Sequence, residues 1–285
     1  MNRPYKIIIA LILFLFSFSA FAWDAVGHKI IAQIAWQNLT PQTKKILAPY
    51  IRAFPEKHAA SLYRTFLEMN IWPDQLKTQG ITVFDHWHFI RQGFSDDHSY
   101  VPKPDYYNIV WAIPQMQAIL ENPAASVQAK SFALSFLMHF VGDIHQPLHC
   151  ISLYDKNYPN GDEGGNLIPI RSPYASNLHE LWDRELGAFY SVERYHSPYH
   201  HQIYQFAQKV MQEFPPKNFG NEIQNINPSE WAKNSFELAK ENAYPMQANA
   251  EPSQTYIDHN REIALKQIAL AGYRLAYLLN STEKN

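Results

Sequence analysis

The fold of this chain is decided by one stretch, residues 123–145, which reads PAASVQAKSFALSFLMHFVGDIH. Its large apolar residues recur every four positions, at Phe132, Phe136, Phe140 and Ile144. Side chains four residues apart lie on the same side of an α-helix, so the stretch predicts a helix with one buried apolar stripe. We expect Pro147 to end this helix, because proline cannot donate the backbone hydrogen bond that a helix requires.

The remainder of the chain has the same helical character. Helical patterns are predicted for residues 26–39, 104–120 (interrupted near Pro114), 199–214, 229–243 and 256–279, with further helices opening at Pro41 and Asn177. No segment shows the alternation of a strand of any length, and residues 153–176 are predicted as a long loop with room for a small hairpin around Gly164 and Gly165. Since nothing in the chain is typical of an interdomain linker, we expect a single all-α, mainly helical domain over residues 23–285.

The composition excludes several classes of protein. Of the 285 residues, 46% are hydrophobic and 18% are charged, which is typical of a globular protein and not of a disordered or low-complexity one. The 24 basic and 26 acidic residues give a formal charge of -2, so no general basic surplus is available to hold a polyanion. Cys150 is the only cysteine, which excludes a disulfide scaffold, whereas the 13 histidines are a large supply of potential metal ligands.

The first 22 residues predict a signal peptide that is not part of the fold. Arg3 and Lys6 precede an apolar run over residues 7–18, and Ala20-Phe21-Ala22 has the small-x-small form of a cleavage site. The run is short for a membrane span, so an uncleaved anchor is the less favoured alternative. We therefore expect a secreted or periplasmic protein that begins at Trp23 and has no stable membrane association.

Two pairs of residues with the same spacing suggest a metal site. His139 and Asp143 lie four residues apart in the most apolar helix, so both face one side of it and border its buried stripe. A buried carboxylate needs a compensating partner, and a metal ion can supply one. His179 and Asp183 repeat the spacing in a later helix, although an exposed ion pair explains most single pairs of this kind. His149 can turn back toward the same centre, which gives five nitrogen and oxygen ligands of the kind that zinc accepts.

Two upstream segments extend this set. Asp74 ends the apolar turn Ile71-Trp72-Pro73-Asp74. In the segment Asp85-His86-Trp87-His88-Phe89-Ile90, the two imidazoles point the same way if the segment is extended, so spacing does not choose between His86 and His88. His145 lies about a third of a turn away from the face that carries the helical His/Asp pair, and it is excluded from that pair.

A chain cleaved before Trp23 would offer an unusual metal ligand. Its free α-amine and its own carbonyl oxygen would together close a five-membered chelate ring on a metal ion. The pKa of an α-amine, about 7.7–8.0, allows a divalent ion to displace the proton under mild conditions. His28 follows five residues later, within reach of the same ion if a helix begins near Ala25.

Together these motifs resemble the trinuclear-zinc single-strand nucleases, the type I or S-one/P-one family, and they occur in the order in which the family carries them. The matching segments are Trp23 with Val26-Gly27-His28, Trp72-Pro73-Asp74, His88-Phe89-Ile90, the run from His139 to His149, Gly164-Gly165-Asn166 and Asn177-Leu178-His179-Glu180-Leu181-Trp182-Asp183. The resemblance implies a mostly α-helical fold shared with zinc-dependent phospholipases C, with three zinc ions in a cleft.

Carried over by position, the resemblance implies a set of ligands for each ion. The first zinc would be held by Asp74, His88 and His139, with Asp143 bridging to the second. The second zinc would also take the amine and carbonyl of Trp23 together with His28. The third would be held by His149, His179 and Asp183. The resemblance therefore chooses His88 over His86 and gives His145 no metal role.

The resemblance also implies how a phosphodiester would be cut. A hydroxide between two close zincs would attack phosphorus in line, while the remaining zinc would stabilise the departing 3′ oxygen. Asp74 would orient the nucleophile, and Lys77, one helical turn later, would neutralise charge in the transition state. Phe89 is the candidate for stacking on a base, and Asn166 is the candidate for a hydrogen bond to a base edge. Arg91 stands at a position near the base pocket where many members of the family carry an acidic residue.

The sequence thus favours a monomeric, zinc-dependent endonuclease that hydrolyses single-stranded DNA and RNA to 5′-phosphorylated products and has 3′-nucleotidase activity. A zinc-dependent phospholipase C on the same scaffold is the nearest alternative, although the Gly-Gly-Asn and His-Phe-Ile segments are more typical of a nucleobase site than of a lipid surface. A non-catalytic zinc-binding protein is a second alternative.

Overall fold

A computed structural model of the chain describes residues 23–55, 61–190 and 199–282. The predicted signal peptide lies outside the described residues and stays a prediction. In the described ranges the helices are α1 (Ala25–Asn38), α2 (Pro41–Arg52), α3 (Leu62–Met69), α4 (Trp72–Thr78), α5 (Ile109–Glu121), α6 (Val127–Asp143), α7 (Leu178–Asp183), α8 (Tyr199–Glu213), α9 (Pro228–Leu238) and α10 (Gln254–Ser281), and the strands are β1 (Gln92–Phe94) and β2 (Ile151–Leu153). The predicted all-α class is confirmed. None of the helices in these ranges is both long and apolar enough to cross a membrane.

Capping side chains and a proline set the helix boundaries. Asn108 accepts hydrogen bonds from the first free amides of α5, which places the start of that helix later than predicted. Ser126 does the same for α6. At its other end α6 finishes at Asp143, before the predicted His145, because Pro147 forces the residue preceding it out of helical geometry.

The core is built around α6. Every residue of this helix from 133 to 143 is buried, so the predicted apolar stripe is only one of its covered sides. Phe136 is fully buried and stacks on the partly buried Phe132, with ring centroids 4.4 Å apart. Because α6 is surrounded, its polar residues His139 and Asp143 are held in the interior of the protein.

The two strands connect segments that are far apart in the chain. β1 and β2 run parallel, with Gln92 opposite Ile151, and next to this pair the amide of Ile90 donates to the carbonyl of His149 at 2.8 Å. The pairing was not predicted, because three residues are too few to show an alternating pattern. It places the segment that ends in Ile90 directly beside the segment that follows α6.

The long loop after β2 is shaped by turns where a small hairpin was expected. Gly164 and Gly165 have φ angles of +65° and +86°, a conformation that glycine adopts at little cost. The antiparallel bridge described in this loop pairs Pro169 with Asn177 instead. A Cβ atom on Gly164 would lie 2.3 Å from the carbonyl oxygen of Leu148, so this turn is pressed against the backbone that follows α6.

A glycine allows α10 to hold α1 in place. At Gly272 of α10, a Cβ atom would lie 2.6 Å from the side chain of Ile34 in α1 and 3.1 Å from the carbonyl oxygen of Ile31. Real Cβ atoms do not approach other atoms so closely, so the two helices can be this near only because residue 272 has no side chain. α1 carries His28, and its position therefore depends on this contact.

We expect the substitution Gly272→Ala to lower the free energy of unfolding by about 1–3 kcal/mol, because the added methyl group overpacks the contact with Ile34. Alanine in place of glycine at an unconstrained helical site would instead raise it by roughly 0.5–1 kcal/mol. Urea denaturation measures the difference, with Lys266→Ala on the exposed side of α10 as a control of little effect. A more stable Gly272→Ala protein would contradict the close packing.

Candidate metal centre

Three groups of buried side chains could each hold a metal ion. They consist of Asp74, His88 and His139; of His28, His139 and Asp143; and of His149, His179 and Asp183. Within each group the potential ligand atoms lie within 4.8 Å of one another. The first two groups share His139, so they form one continuous centre. The structure thus brings together the eight side chains predicted as ligands, and their binding of metal stays a prediction.

The spacing around His139 suits a tetrahedral ion. Its Nε2 lies 3.1 Å from Nδ1 of His88, 3.5 Å from Oδ1 of Asp74 and 3.3 Å from Oδ2 of Asp143. Ligand atoms at bond lengths of 2.0–2.1 Å around a tetrahedral zinc are separated by about 3.3 Å. The observed distances have this size, so the donor set fits a zinc-sized cation.

Backbone carbonyls orient three of the imidazoles. Nδ1 of His139 donates to the carbonyl of Asn70 at 2.7 Å, and Nδ1 of His149 donates to the carbonyl of His88 at 2.8 Å. In the third group, Nδ1 of His179 donates to the carbonyl of Gly164 at 2.7 Å. A carbonyl can only accept, so Nδ1 carries the hydrogen in each ring and the Nε2 lone pair is directed to the site. Metal-binding histidines are oriented in this way.

Several buried polar atoms are unsatisfied by the described residues. Nε2 of His149, both ring nitrogens of His28 and Oδ1 of Asp143 make no hydrogen bond there. Nε2 of His28 lies 3.2 Å from Oδ1 of Asp143, but the geometry is not that of a hydrogen bond. An unpaired buried polar atom is costly, and a cation bound in each group would give a partner to Nε2 of His149, to one ring nitrogen of His28 and to Oδ1 of Asp143.

Burial also governs the charges in the centre. It lowers the pKa of His28 and His149, and it lowers the pKa of His88 to about 3, so that these rings are neutral near pH 7. Burial would raise the pKa of Asp143, but the neighbouring His139, with His28 and His88, holds it below its usual range. Neutral imidazoles beside an ionised carboxylate are the protonation states that a metal requires.

The carboxylate of the third group is in a different state. Burial raises the pKa of Asp183 well above its usual range, even though Nε2 of Gln146 donates to its Oδ1 at 2.6 Å. The negative charges of Asp74 and Asp143 raise it further. A cation bound in this group would favour the ionised form of Asp183.

Lys77 lies inside the centre and not at its rim. It follows Asp74 by three residues in α4, and its Nζ lies 3.0 Å from Oδ1 of Asp74. Burial lowers the pKa of Lys77, but Asp74 and Asp143 outweigh that effect and raise it overall, so the side chain is a cation at neutral pH. The structure thus shows the predicted lysine bound to the predicted carboxylate.

Phe89 and Asn166 border one cleft, which adjoins His149 and His179 of the third group. The two base-binding candidates are therefore close to each other and to the candidate metal ligands. The guanidinium of Arg91 covers part of the platform that was predicted for a base, because its Cζ lies over the Phe89 ring, 4.8 Å from the ring centroid.

Two other histidines are separated from the centre, each for a clear reason. Residues 85–88 form a short 3-10 helix and not an extended segment, so His86 and His88 point apart. The side chain of His86 is 64% exposed and faces Asp105 at 3.6 Å. His145 is buried, but its Nδ1 donates to Val141 and its Nε2 accepts from Arg274, each at 2.7 Å, so both nitrogens are already used.

Sequence reasoning missed the residues that support the ligands. Asn70, Gly142 and Gln146 all contact them, and a Cβ atom on Gly142 would lie 2.9 Å from the ring of His28. Gly142 and Gln146 lie inside the predicted motif, so their position was a usable signal. Asn70 accepts from His139 through its backbone carbonyl, and its side-chain amide donates to the carbonyl of His28 at 2.5 Å. Both contacts join segments that are distant in the chain.

The start of α1 is attached to the centre. Trp23 is fully buried, and its indole nitrogen donates to the carbonyl of Gly142 at 3.0 Å. The amide of Asp24 donates to the carbonyl of Asp183 at 2.7 Å. The backbone of residue 23 therefore lies beside the two segments that carry Asp143 and Asp183.

Comparisons with known proteins agree with this geometry. A family model described as S1/P1 Nuclease matches residues 23–284. Endonuclease 4 of Arabidopsis thaliana is 27% identical over 92% of this chain and 89% of its own length. Nuclease P1 of Penicillium citrinum is 25% identical over 90% of this chain and 97% of its own length, and Nuclease S1 of Aspergillus oryzae is 26% identical over 58% and 55%. The family model covers all three ligand groups, and the chain accordingly belongs to the S1/P1 nuclease family and is a nuclease.

Proposed function

We propose that this nuclease is a zinc-dependent phosphodiesterase that cuts single-stranded DNA and RNA to 5′-phosphorylated products and also acts as a 3′-nucleotidase. The observation that carries the proposal is the set of three neighbouring groups of buried imidazoles and carboxylates. Three bound zinc ions would supply the positive charge that attracts phosphate, activate water at neutral pH and polarise the phosphoryl group. We also propose that the protein acts as a monomer and is exported after removal of residues 1–22.

Asp74 and Lys77 are proposed to act on the reacting groups. The carboxylate of Asp74 would accept a hydrogen bond from the attacking water and so hold it in line with phosphorus. Lys77 supports this role, because an ammonium 3.0 Å away keeps the carboxylate ionised. The same ammonium would stabilise the negative charge that develops on phosphate oxygens in the transition state.

Trp23 is proposed as a further ligand of the group that contains His28. The indole contact with Gly142 and the amide bond from Asp24 to Asp183 hold the backbone of residue 23 against the centre. Cleavage at this position would create the amine and carbonyl pair that can chelate an ion. This role rests on the predicted cleavage site and on the resemblance to the nuclease family.

The preference for single strands would come from the cleft next to His149 and His179. A base that enters it must leave the stack of its own strand, which an unpaired strand allows and a duplex opposes. Aromatic stacking contributes about 1–3 kcal/mol per base and accepts any base. Phe89 would supply the stacking surface, and Asn166 would hydrogen-bond the base edge.

Hydrolysis assays with the purified mature protein test the proposal. We expect a single-stranded oligonucleotide to be cut at least tenfold faster than the same sequence as a duplex, and phosphatidylcholine to be left intact. EDTA should abolish the cleavage and added zinc should restore it. The side chains of the ligand groups do not supply a positive charge as strong as that of the zinc ions they would bind. Faster hydrolysis of phosphatidylcholine would favour the phospholipase alternative, and zinc binding without any hydrolysis would favour a non-catalytic protein.

Two buried histidines four residues apart give a matched pair of variants. His149→Gln should remove one zinc per chain and lower kcat by at least 10–100-fold, the loss typical of weakened metal binding. His145→Gln should leave the zinc content unchanged, because both nitrogens of His145 are engaged by the protein itself. Metal analysis by mass spectrometry, together with a thermal melt to confirm folding, measures both. Equal zinc loss in the two variants would contradict the assignment.

A further inference from the structure

A charged pair lies at the mouth of the base cleft. Nη2 of Arg91 is 4.0 Å from Oε1 of Glu163, and 39% and 49% of the two side chains are exposed. Both residues border the cleft together with Phe89 and Asn166. The pair is therefore accessible to a ligand and lies beside the surface on which a base would stack.

The backbone fixes where these two groups are. Arg91 directly precedes β1, and on its other side the amide of Ile90 is bonded to the carbonyl of His149. Glu163 has a φ angle of +58° in the turn before Gly164, and its carbonyl accepts a hydrogen bond from the side-chain amide of Asn166 at 2.9 Å. The side chains of Arg91 and Glu163, 39% and 49% exposed, can adjust to a ligand.

The cleft itself requires such an adjustment. The Cζ atom of Arg91 lies over the Phe89 ring, 4.8 Å from its centroid, and so covers the face on which a base would stack. A base can therefore lie on Phe89 only if the guanidinium of Arg91 moves off the ring face. At 39% exposure the side chain has room to swing aside, and its fixed backbone keeps the guanidinium at the edge of the incoming base.

The pair offers a definite pattern of hydrogen-bonding groups. A guanidinium has donors only, arranged as a fork that suits two neighbouring acceptors, whereas an ionised carboxylate has acceptors only. Guanine is the base that presents both complements: the acceptors N7 and O6 lie next to each other on its Hoogsteen edge, and the donors N1–H and N2–H lie next to O6 on the adjoining Watson–Crick edge. Adenine places a donor amine beside N7, so it cannot accept both arms of the fork.

We propose, resting on the nuclease function proposed above, that Arg91 and Glu163 make this cleft selective for guanine. The Arg91 fork donates to O6 and N7, and the carboxylate of Glu163 accepts from N1–H and N2–H. Phe89 provides stacking that does not distinguish the bases, so the charged pair determines the specificity. Both residues lie beyond the candidate metal ligands, and their role concerns which base is bound and not how the phosphodiester is cut.

Four dinucleoside monophosphates, GpU, ApU, CpU and UpU, test the proposal with the zinc-loaded enzyme. A bidentate base contact of this kind discriminates by about 5- to 150-fold, and we expect GpU to have at least a tenfold higher kcat/KM than the others, mainly through a lower KM. Arg91→Lys keeps the charge but removes the fork, and it should bring GpU to the level of the other substrates. Glu163→Gln should lower only the value for GpU.

Arg52→Ala, which removes an exposed arginine from α2, is the control and should leave the order of substrates unchanged. Equal kcat/KM of the wild-type enzyme for the four substrates would overturn the guanine site while leaving the nuclease function intact. A uniform loss on all four in Arg91→Lys would also overturn it, because that result would mean a general effect on the phosphate.

Binding gives a measurement that does not depend on turnover. Isothermal calorimetry of the zinc-loaded protein should show at least tenfold tighter binding of 5′-GMP than of 5′-AMP, and Arg91→Lys should remove the difference. If the wild-type protein cleaves none of the dinucleotides but shows this preference, the proposed activity fails and the guanine site stands. Equal affinities for the two nucleotides would overturn the guanine site.

Discussion

The burial of eight imidazoles and carboxylates within one helical interior is the constraint on which the rest of this structure depends. Each of these residues is at most 9% exposed. Isolated ionised groups in such surroundings are strongly destabilising, and they persist only when they are paired or bound to metal. The imidazoles cannot supply all of the compensating charge, because burial keeps His28, His88 and His149 neutral. Divalent cations would turn this costly cluster into a source of stability, and the same charge would attract the phosphates of a nucleic acid.

The surrounding helices and loops serve this cluster. α1, α6 and α7 deliver ligands on their inner faces, while carbonyls from Asn70, His88 and Gly164 fix which nitrogen of each ring carries its hydrogen. Two glycines set the spacing: Gly272 lets α1 approach α10, and Gly142 lets the ring of His28 approach α6. Ligand position is thus determined by backbone packing, and this explains why the centre needs a large helical domain around it.

The sequence predicted those parts of the site that local geometry determines. Spacing by four on a helix correctly placed His139 with Asp143, and the same rule placed His179 beside Asp183 at 3.5 Å. It could not choose between His86 and His88, because the choice depends on a short 3-10 helix that has no clear sequence pattern. The contacts of Asn70 with His28 and His139 were also beyond its reach, since they arise only when distant segments meet. Helices α5 and α6 begin later than predicted because Asn108 and Ser126 cap their first turns. Both residues are of types that favour the N-cap position, so the sequence does contain this signal.

The positions of bound zinc ions would show whether the buried imidazoles and carboxylates form a metal centre. Crystals of the mature protein grown with zinc would be measured at the zinc absorption edge, where anomalous scattering identifies the element and its position. Three peaks per chain are expected, each about 2.0–2.2 Å from its ligand atoms: one beside Asp74, His88 and His139, one beside His28 and Asp143, and one beside His149, His179 and Asp183. Peaks confined to exposed histidines such as His86 or His98, with none among the buried groups, would contradict it.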